Sequence, residues 1–265
     1  MKATILSIEG KKVKEIELPE FFSEKIRDDL IARIVEAKKT MQPYAPSQYA
    51  GMKYSASGKI RHKRHAWKVS YGRGMSRVPR KIMSRRGSQF NWVGAGVPAM
   101  RGGRRAHPPK IEHLLIRKKI NKKELTLAMK SAITATANEN EVRKKYSRLN
   151  KVEVKGLPFI VESKLSSLKT KQLLETLKKI MGEKVFVVGV RNKEVRSGKG
   201  KLRGRRYKEN AGLLIVTGKD EKVKTKVFDV ANASNLNVTD LASGGQGRLT
   251  VYTENAIKEL GERLK

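Results

Sequence analysis

The chain has 265 residues, with 60 lysines and arginines against 25 aspartates and glutamates, a formal net charge of +35 and no cysteine. So large a charge repels itself unless a polyanion neutralises it, and the expected partner is a nucleic acid, an anionic membrane surface or an acidic protein. The lack of cysteine excludes disulfides, thiolate metal sites and cysteine nucleophiles, and the lack of any apolar run near roughly 20 residues excludes membrane insertion.

Two short strands are predicted near the start of the chain, at residues 3–8 and 13–18, because apolar residues alternate there. A helix is predicted over residues 23–40, where apolar residues recur every four positions before Pro43. The first ten residues show no long apolar segment and no cleavage-like site, so we expect no signal peptide and a protein that stays inside the cell.

A long segment without acidic residues follows this helix. Residues 37–111 contain no aspartate or glutamate, and residues 42–110 hold 16 lysines and arginines and nine glycines without helical or strand periodicity. We therefore predict a long extended basic loop over residues 42–110, inserted into a globular domain made of residues 1–41 and 111–265. Such a loop is either disordered or ordered only by its partner.

Helices and strands alternate after the insertion. Asn121 is the predicted cap of a helix that ends near residue 139, and residues 159–161 are a predicted strand. A helix is predicted over residues 171–181, between Thr170 as its cap and Gly182, and the apolar run 185–190 is predicted to be a buried strand.

A second basic segment, residues 191–208, holds nine lysines and arginines against one acid, Glu194. It leaves the predicted strand 185–190, and loops at the carboxyl ends of strands are where ligands gather in α/β sheets. The last predicted elements are strands at 213–216, 226–230 and 249–253, a short helix at 239–242, and a C-terminal helix capped by Thr253. The order predicts an α/β fold, a single globular domain with a largely parallel sheet flanked by helices.

Aromatic and imidazole rings are interleaved with cations in the first basic segment. His65, Trp67, Tyr71 and Trp92 are candidates for stacking on unpaired bases, while lysines and arginines contact phosphates. The alternative, a solvated polybasic loop or a localisation signal, loses weight over 69 acid-free residues. The cations expected to bind RNA are Lys53, Lys59, Arg61, Lys63, Arg64, Lys68, Arg73, Arg77, Arg80, Lys81, Arg85, Arg86, Arg101, Arg104, Arg105, Arg196, Lys199, Lys201, Arg203, Arg205 and Arg206.

No motif for a metal, a cofactor or catalysis is found. Cations surround the first three of the four histidines, His62, His65, His107 and His113, which disfavours a metal ion. The glycine-rich residues 244–247 lack the Gly-Lys-Ser/Thr ending of a phosphate loop and precede a predicted strand, so they are predicted to form a tight turn. We expect no cofactor, no metal and no enzymatic activity.

Several stretches carry a specific resemblance to a known family. They are Arg-Gly-Met-Ser-Arg-Val-Pro-Arg-Lys at 73–81, Gly-Ala-Gly-Val-Pro at 94–98 and Arg-Gly-Gly-Arg-Arg-Ala-His-Pro-Pro at 101–109, together with residues 121–124, 196–206 and 241–245. These resemble the L-four family of the large ribosomal subunit in its archaeal and eukaryotic branch, over nearly the whole chain. The length indicates an archaeal member.

The resemblance implies a cytoplasmic protein of the large ribosomal subunit, with its globular domain on the subunit surface and the long loop threaded through ribosomal RNA. The loop tip, around residues 65–77, would reach the wall of the peptide exit tunnel. The implied partners are large-subunit ribosomal RNA, neighbouring ribosomal proteins and, as a hypothesis, the nascent peptide. A role in ribosome assembly is also implied. The flanking arms would contact RNA through Arg85, Arg86, Arg101, Arg104 and Arg105.

Two other functions remain open on the residues alone. A general DNA-binding protein would also be basic, although the basic segments are glycine-rich and show no helix-turn-helix or basic-zipper pattern. An RNA-modifying enzyme with a basic substrate arm would bind a cofactor. Comparable affinity for duplex DNA would indicate the first, and a bound cofactor the second.

Overall fold

A computed structural model describes residues 1–39, 63–67, 69–101, 103, 105–108, 110, 112, 118–149, 152–154 and 156–264. The chain divides into two compact units, one formed by Met1–Lys38 and Lys119–Lys265 and the other by Lys39–Lys118. Each unit has its own sheet structure.

The strands of the described residues are β1 (Lys2–Leu6), β2 (Lys12–Glu17), β3 (Arg80–Arg86), β4 (Gln89–Gly94), β5 (Phe159–Val161), β6 (Lys193–Val195), β7 (Tyr207–Glu209), β8 (Leu214–Thr217), β9 (Asp229–Asn232) and β10 (Thr250–Thr253). The α-helices are α1 (Asp28–Lys39), α2 (Lys122–Ala137), α3 (Glu139–Lys145), α4 (Thr170–Met181), α5 (Glu183–Gly189), α6 (Val238–Leu241) and α7 (Glu254–Arg263). Short 3-10 helices lie at Glu20–Ser23, Ser147–Leu149, Ser163–Ser167 and Lys199–Arg203.

The first unit is built on a six-stranded sheet in the order β2-β1-β5-β10-β8-β9. Strands β1 and β2 are antiparallel, whereas β1, β5, β10, β8 and β9 pair in parallel. This confirms the predicted α/β fold with a largely parallel sheet.

Helices cover both faces of this sheet, and its central strands β5, β8 and β10 are therefore buried at every position. In β5, Ile160 faces one core cluster while Phe159 and Val161 face the other. Strand β10 repeats the alternation with Tyr252 and Val251. One cluster packs the sheet against α1, α2, α6 and α7, and the other packs it against α3, α4 and α5. Burial on both faces is typical of a parallel sheet between two helical layers.

The predicted strand at 185–190 is wrong, because these residues form helix α5 and the turn after it. Val185 and Val188 are buried three positions apart, while Val187 between them is 64% exposed, as on one face of a helix. Tertiary packing has overridden the β preference of a valine-rich run.

Smaller corrections concern where helices begin and end. The first α-helix starts at Asp28 because Glu20–Ser23 form a separate 3-10 turn that buries Phe21 and Phe22. Thr170 is the first helical residue of α4, and Lys169 is its cap. The cap predictions at Asn121 and Thr253 are confirmed, since both side chains accept a hydrogen bond from a backbone N–H of the first helical turn.

The second unit contains the antiparallel pair β3 and β4, joined by a turn in which Gly87 has a φ of 58°. We predicted an extended loop without strands here. A glycine in the left-handed region is common in tight hairpin turns, so Gly87 was a sequence feature from which this hairpin could have been predicted.

Candidate RNA-binding surfaces

The second basic segment forms a hairpin. Strands β6 and β7 pair in antiparallel register, with Lys193 opposite Glu209 and Val195 opposite Tyr207. The hairpin follows helix α5 and leads into β8, so it lies at the amino end of that parallel strand. Its predicted place at the carboxyl end of a strand is therefore wrong, because residues 185–190 are helical.

Ion pairs neutralise the base of this hairpin. Arg191 lies 3.2 Å from a carboxylate oxygen of Glu209 and 3.1 Å from one of Asp229. Lys208 lies 3.3 Å from Glu194. The cations at the base therefore have carboxylate partners within the protein and contribute little free charge.

The tip of the hairpin, the 3-10 helix Lys199–Arg203, differs from its base. Lys199, Lys201 and Arg203 are exposed and form no ion pair among the described residues. The turn is set by Gly198 (φ 72°) and Gly204 (φ 77°), whose backbone lies where glycine is favoured. The result is a defined turn carrying three unneutralised cations, the arrangement that binds phosphates.

Arg196 stabilises the hairpin through hydrogen bonds to its opposite side. Its Nε donates to the carbonyl oxygen of Arg205 at 3.0 Å, and its second terminal nitrogen donates to that of Tyr207 at 3.3 Å. Arg206 lies over the Tyr207 ring at 5.6 Å. The two hydrogen bonds of Arg196 hold the strands together below the tip.

In the second unit, most of the predicted RNA-binding cations that the structure describes are exposed. These are Lys63, Arg64, Arg73, Arg77, Lys81, Arg86, Arg101 and Arg105. His65 is exposed with a φ of 54°, and Trp67 is 55% exposed. These side chains are accessible to an RNA partner.

Arg80 and Trp92 are instead part of the internal structure of that unit. Arg80 is 8% exposed and donates to the carbonyl oxygens of Trp92 at 2.8 Å and of Ser76 at 3.0 Å. Trp92 is 7% exposed, and the guanidinium of Arg73 lies 5.2 Å from its ring centre. We assign Arg80 and Trp92 a role in shaping the β3–β4 pair. Tyr71 is half-buried, and the guanidinium of Arg77 lies 4.5 Å from the centre of its ring.

The remaining predicted positions lie outside the described residues. They are Lys53, Lys59, Arg61, Lys68 and Arg104. For Arg85 only the backbone, in strand β3, is described. The RNA-binding roles of these residues stay predictions.

A buried arginine anchors the strand that follows the glycine-rich turn. Arg248 is 2% exposed, and its Nε donates to the carbonyl oxygens of Ala211 and Gly212 at 2.8 and 2.9 Å. Its terminal nitrogens donate to the carbonyl of Asp240 at 2.8 Å and to the carboxylate of Asp229 at 2.5 Å. Through these hydrogen bonds, the Arg248 side chain links the residues just before β8 to α6 and β9.

A family model described as the ribosomal protein L4/L1 family matches residues 16–263. The chain belongs to the ribosomal protein L4/L1 family. Large ribosomal subunit protein uL4 of Methanospirillum hungatei is 40% identical over 98% of this chain and 99% of its own length. The uL4 proteins of Archaeoglobus fulgidus and Methanocaldococcus jannaschii are 40% and 39% identical over the full length of both chains.

These matches confirm the resemblance drawn from the sequence, including its archaeal branch. In this L4-family chain no helix of the described residues is long and apolar enough to cross a membrane. Within the described part of the chain, no group of three or more histidine and acidic side chains could hold a metal ion.

In this L4-family fold, hydrogen bonds within the protein occupy the carboxyl ends of β8 and β10. Glu221 is 8% exposed and accepts hydrogen bonds from the backbone N–H of Gly218 at 2.9 Å, the hydroxyl of Thr253 at 2.5 Å and the amide of Asn255 at 2.9 Å. The end of the sheet where α/β proteins usually bind ligands is thus used to tie loops to α7.

Lys145 was not predicted as a functional residue. Its ammonium donates to the carbonyl oxygens of Ser243 and Gly245, each at 2.7 Å, and forms no ion pair among the described residues. Burial, together with the positive charge of Arg248, lowers the pKa of Lys145 to about 7. Sequence reasoning missed it because Lys145 follows Arg143 and Lys144 in the last turn of α3, where basic residues are common and form no motif.

We expect the substitution Lys145→Met to remove a pH dependence of stability. An unfolded lysine keeps its proton up to its ordinary pKa of 10.5, whereas the folded one releases it near pH 7. The unfolded state therefore binds more protons between these values, and the free energy of unfolding of the wild type rises with pH there. Denaturant titrations from pH 7 to 10 should show the wild type gaining stability relative to K145M.

Lys144→Met is the matched control, since the Lys144 side chain is 67% exposed on the same helix. K144M should follow the wild-type pH curve. Parallel curves for the wild type and K145M would contradict the assignment.

Proposed function

We propose that this chain is a structural component of the large ribosomal subunit that binds large-subunit ribosomal RNA and acts in the cytoplasm. The single observation that carries the RNA-binding role is the hairpin tip, where Lys199, Lys201 and Arg203 are exposed without an ion pair among the described residues. Family membership supports the ribosomal setting, because the archaeal relatives are named large ribosomal subunit proteins.

The mechanism is electrostatic and structural. Lysines and arginines displace counterions from folded RNA, and the gain in counterion entropy favours the complex. The tip of the β6–β7 hairpin supplies one preformed contact, and the β3–β4 pair of the first basic segment, with Lys81 and Arg86 exposed, supplies another. The bound cations then hold RNA segments together against their mutual repulsion, which supports RNA folding and subunit assembly.

The first basic segment is proposed to thread through the RNA and reach the wall of the peptide exit tunnel. Trp67 supports this role because the residue is 55% exposed and lies in a basic stretch of the sequence, where it can stack on a base or contact a nascent peptide. A photocrosslinker at position 67 should capture a stalled nascent chain. Normal incorporation into ribosomes without any capture would count against the tunnel role.

No catalytic role is proposed. The buried carboxylate Glu221 accepts three hydrogen bonds from the protein, and the buried Arg248 donates to backbone carbonyls and to Asp229. Both are accounted for by the architecture of the fold. At the protein surface, the exposed lysines and arginines can bind phosphate groups.

Binding of the full chain to large-subunit ribosomal RNA and to duplex DNA tests the RNA-binding role. At near-physiological salt we expect the RNA to bind roughly 100-fold more tightly, with log affinity falling by about 0.7 to 0.9 per phosphate contact as log salt rises. Equal affinities for both nucleic acids would favour a general DNA-binding protein instead.

A further inference from the structure

A cavity of about 650 Å³ lies beside the base of the β6–β7 hairpin. Its apolar lining comes from α5 and the residue after it, and includes Phe186, Val187 and Val190. Val187 is 64% exposed, so its side chain is accessible from the cavity. The volume falls within the roughly 300 to 1,000 Å³ typical of sites for small organic groups.

The unneutralised charge around this cavity is positive. The ammonium of Lys145 uses two of its three N–H groups on carbonyl oxygens and has no acidic partner among the described residues. Arg148, which also lines the cavity, forms no ion pair within the described part of the chain either. The two acids that line the cavity, Glu194 and Glu209, are paired with Lys208 and Arg191. An anion is therefore favoured beside Arg148, and a bound anion would also raise the pKa of the adjacent Lys145 from about 7 and keep its side chain charged.

An amide group at the edge of the cavity is available for hydrogen bonding. The backbone N–H of Asn192 donates to the side-chain oxygen of Asn210 at 2.7 Å, and the Asn210 amide donates to the carbonyl of Val190 at 3.1 Å. Asn210 is thereby committed, while the Asn192 side chain makes no hydrogen bond among the described residues. An asparagine amide offers both a donor and an acceptor, which matches the edge of a nucleobase.

We propose that this cavity binds a single unpaired nucleotide of the RNA held by the hairpin. The base lies against Phe186 and Val187 with its edge toward Asn192, and the phosphate lies at Lys145 and Arg148. This inference rests on the proposed function and adds a base-contacting site to a phosphate-contacting one. Splayed single-stranded bases are what proteins read in folded RNA, and apolar and aromatic surfaces are where such bases stack.

A photocrosslinking amino acid at position 187, placed in the full chain and assembled in cells, tests the occupant. Purified large subunits should yield a crosslink from position 187 to one nucleotide of the ribosomal RNA. Position 127 is the control, because Leu127 is 50% exposed on α2 and does not line the cavity, so it should not capture that nucleotide. A crosslink from 187 to a ribosomal protein, or no crosslink from subunits that contain the chain, would overturn the inference and leave the proposed function standing. Absence of the chain from the subunits would overturn both.

A negative charge introduced at the cavity should weaken RNA binding. Val187→Glu is expected to reduce the affinity of the full chain for large-subunit ribosomal RNA about tenfold, the effect of losing one stacked base. Leu127→Glu changes the net charge equally and should leave the affinity within about twofold. Equal effects of the two substitutions would show a general charge effect and overturn the nucleotide site.

Discussion

The triple substitution Lys199→Gln, Lys201→Gln and Arg203→Gln is expected to weaken binding to large-subunit ribosomal RNA roughly 100-fold at near-physiological salt. These side chains are exposed on a turn shaped by Gly198 and Gly204, and within the described residues no carboxylate neutralises them. If each contacts one phosphate, the slope of log affinity against log salt should fall by about 3. Filter binding over a salt series measures both quantities.

Lys222→Gln, Lys224→Gln and Lys226→Gln together form the matched control, because these lysines are exposed in the segment between β8 and β9. The control removes the same three charges and should lower affinity less than about threefold. A control as damaging as the tip variant would mean that the total charge of the chain, and not the hairpin, determines binding.

Arg248→Met is expected to lower the free energy of unfolding by about 3 kcal/mol, because it leaves buried carbonyl groups without their donor and breaks the ion pair with Asp229. The pair is partly shielded from water, since the Arg248 side chain is 2% exposed and that of Asp229 is 36% exposed. Urea denaturation followed by circular dichroism measures the change.

Arg203→Met provides the comparison for this effect. It removes an exposed arginine that has no ion pair in the described part of the chain, and it should change the free energy of unfolding by less than about 0.5 kcal/mol. Similar stabilities for R248M and R203M would show that the Arg248 contacts do not stabilise the fold.

Much of the α/β fold follows from local pattern. The strands at 159–161, 213–216 and 249–253 were predictable because short apolar runs bounded by polar turns suit a sheet buried on both faces. The helix caps at Asn121 and Thr253 were predictable because a side-chain oxygen there satisfies a free backbone N–H.

The helix at 183–189 was not predictable from pattern, since a run of valines suits a buried strand equally well. Its conformation is decided by packing: Val185 and Val188 are buried together in the cluster that holds Leu213 and Phe228. Short apolar runs cannot be assigned by periodicity alone.

The candidate site was only partly visible in the sequence. Charge runs locate the second basic segment, but they do not reveal that its base is neutralised by Glu194, Glu209 and Asp229 while its tip is not. Asp229 lies about 40 residues along the chain from Arg191, so only the fold brings the two together. Lys145 and Arg148 likewise reach the cavity through tertiary packing.

Sedimentation of a native cell lysate through a sucrose gradient after a high-salt wash tests the central claim most directly. The proposed structural role predicts that the chain stays with the large subunit at near one copy per particle, because many cations and, as proposed, a threaded segment would hold it there. Release into the light fractions by salt would contradict an integral place in the subunit.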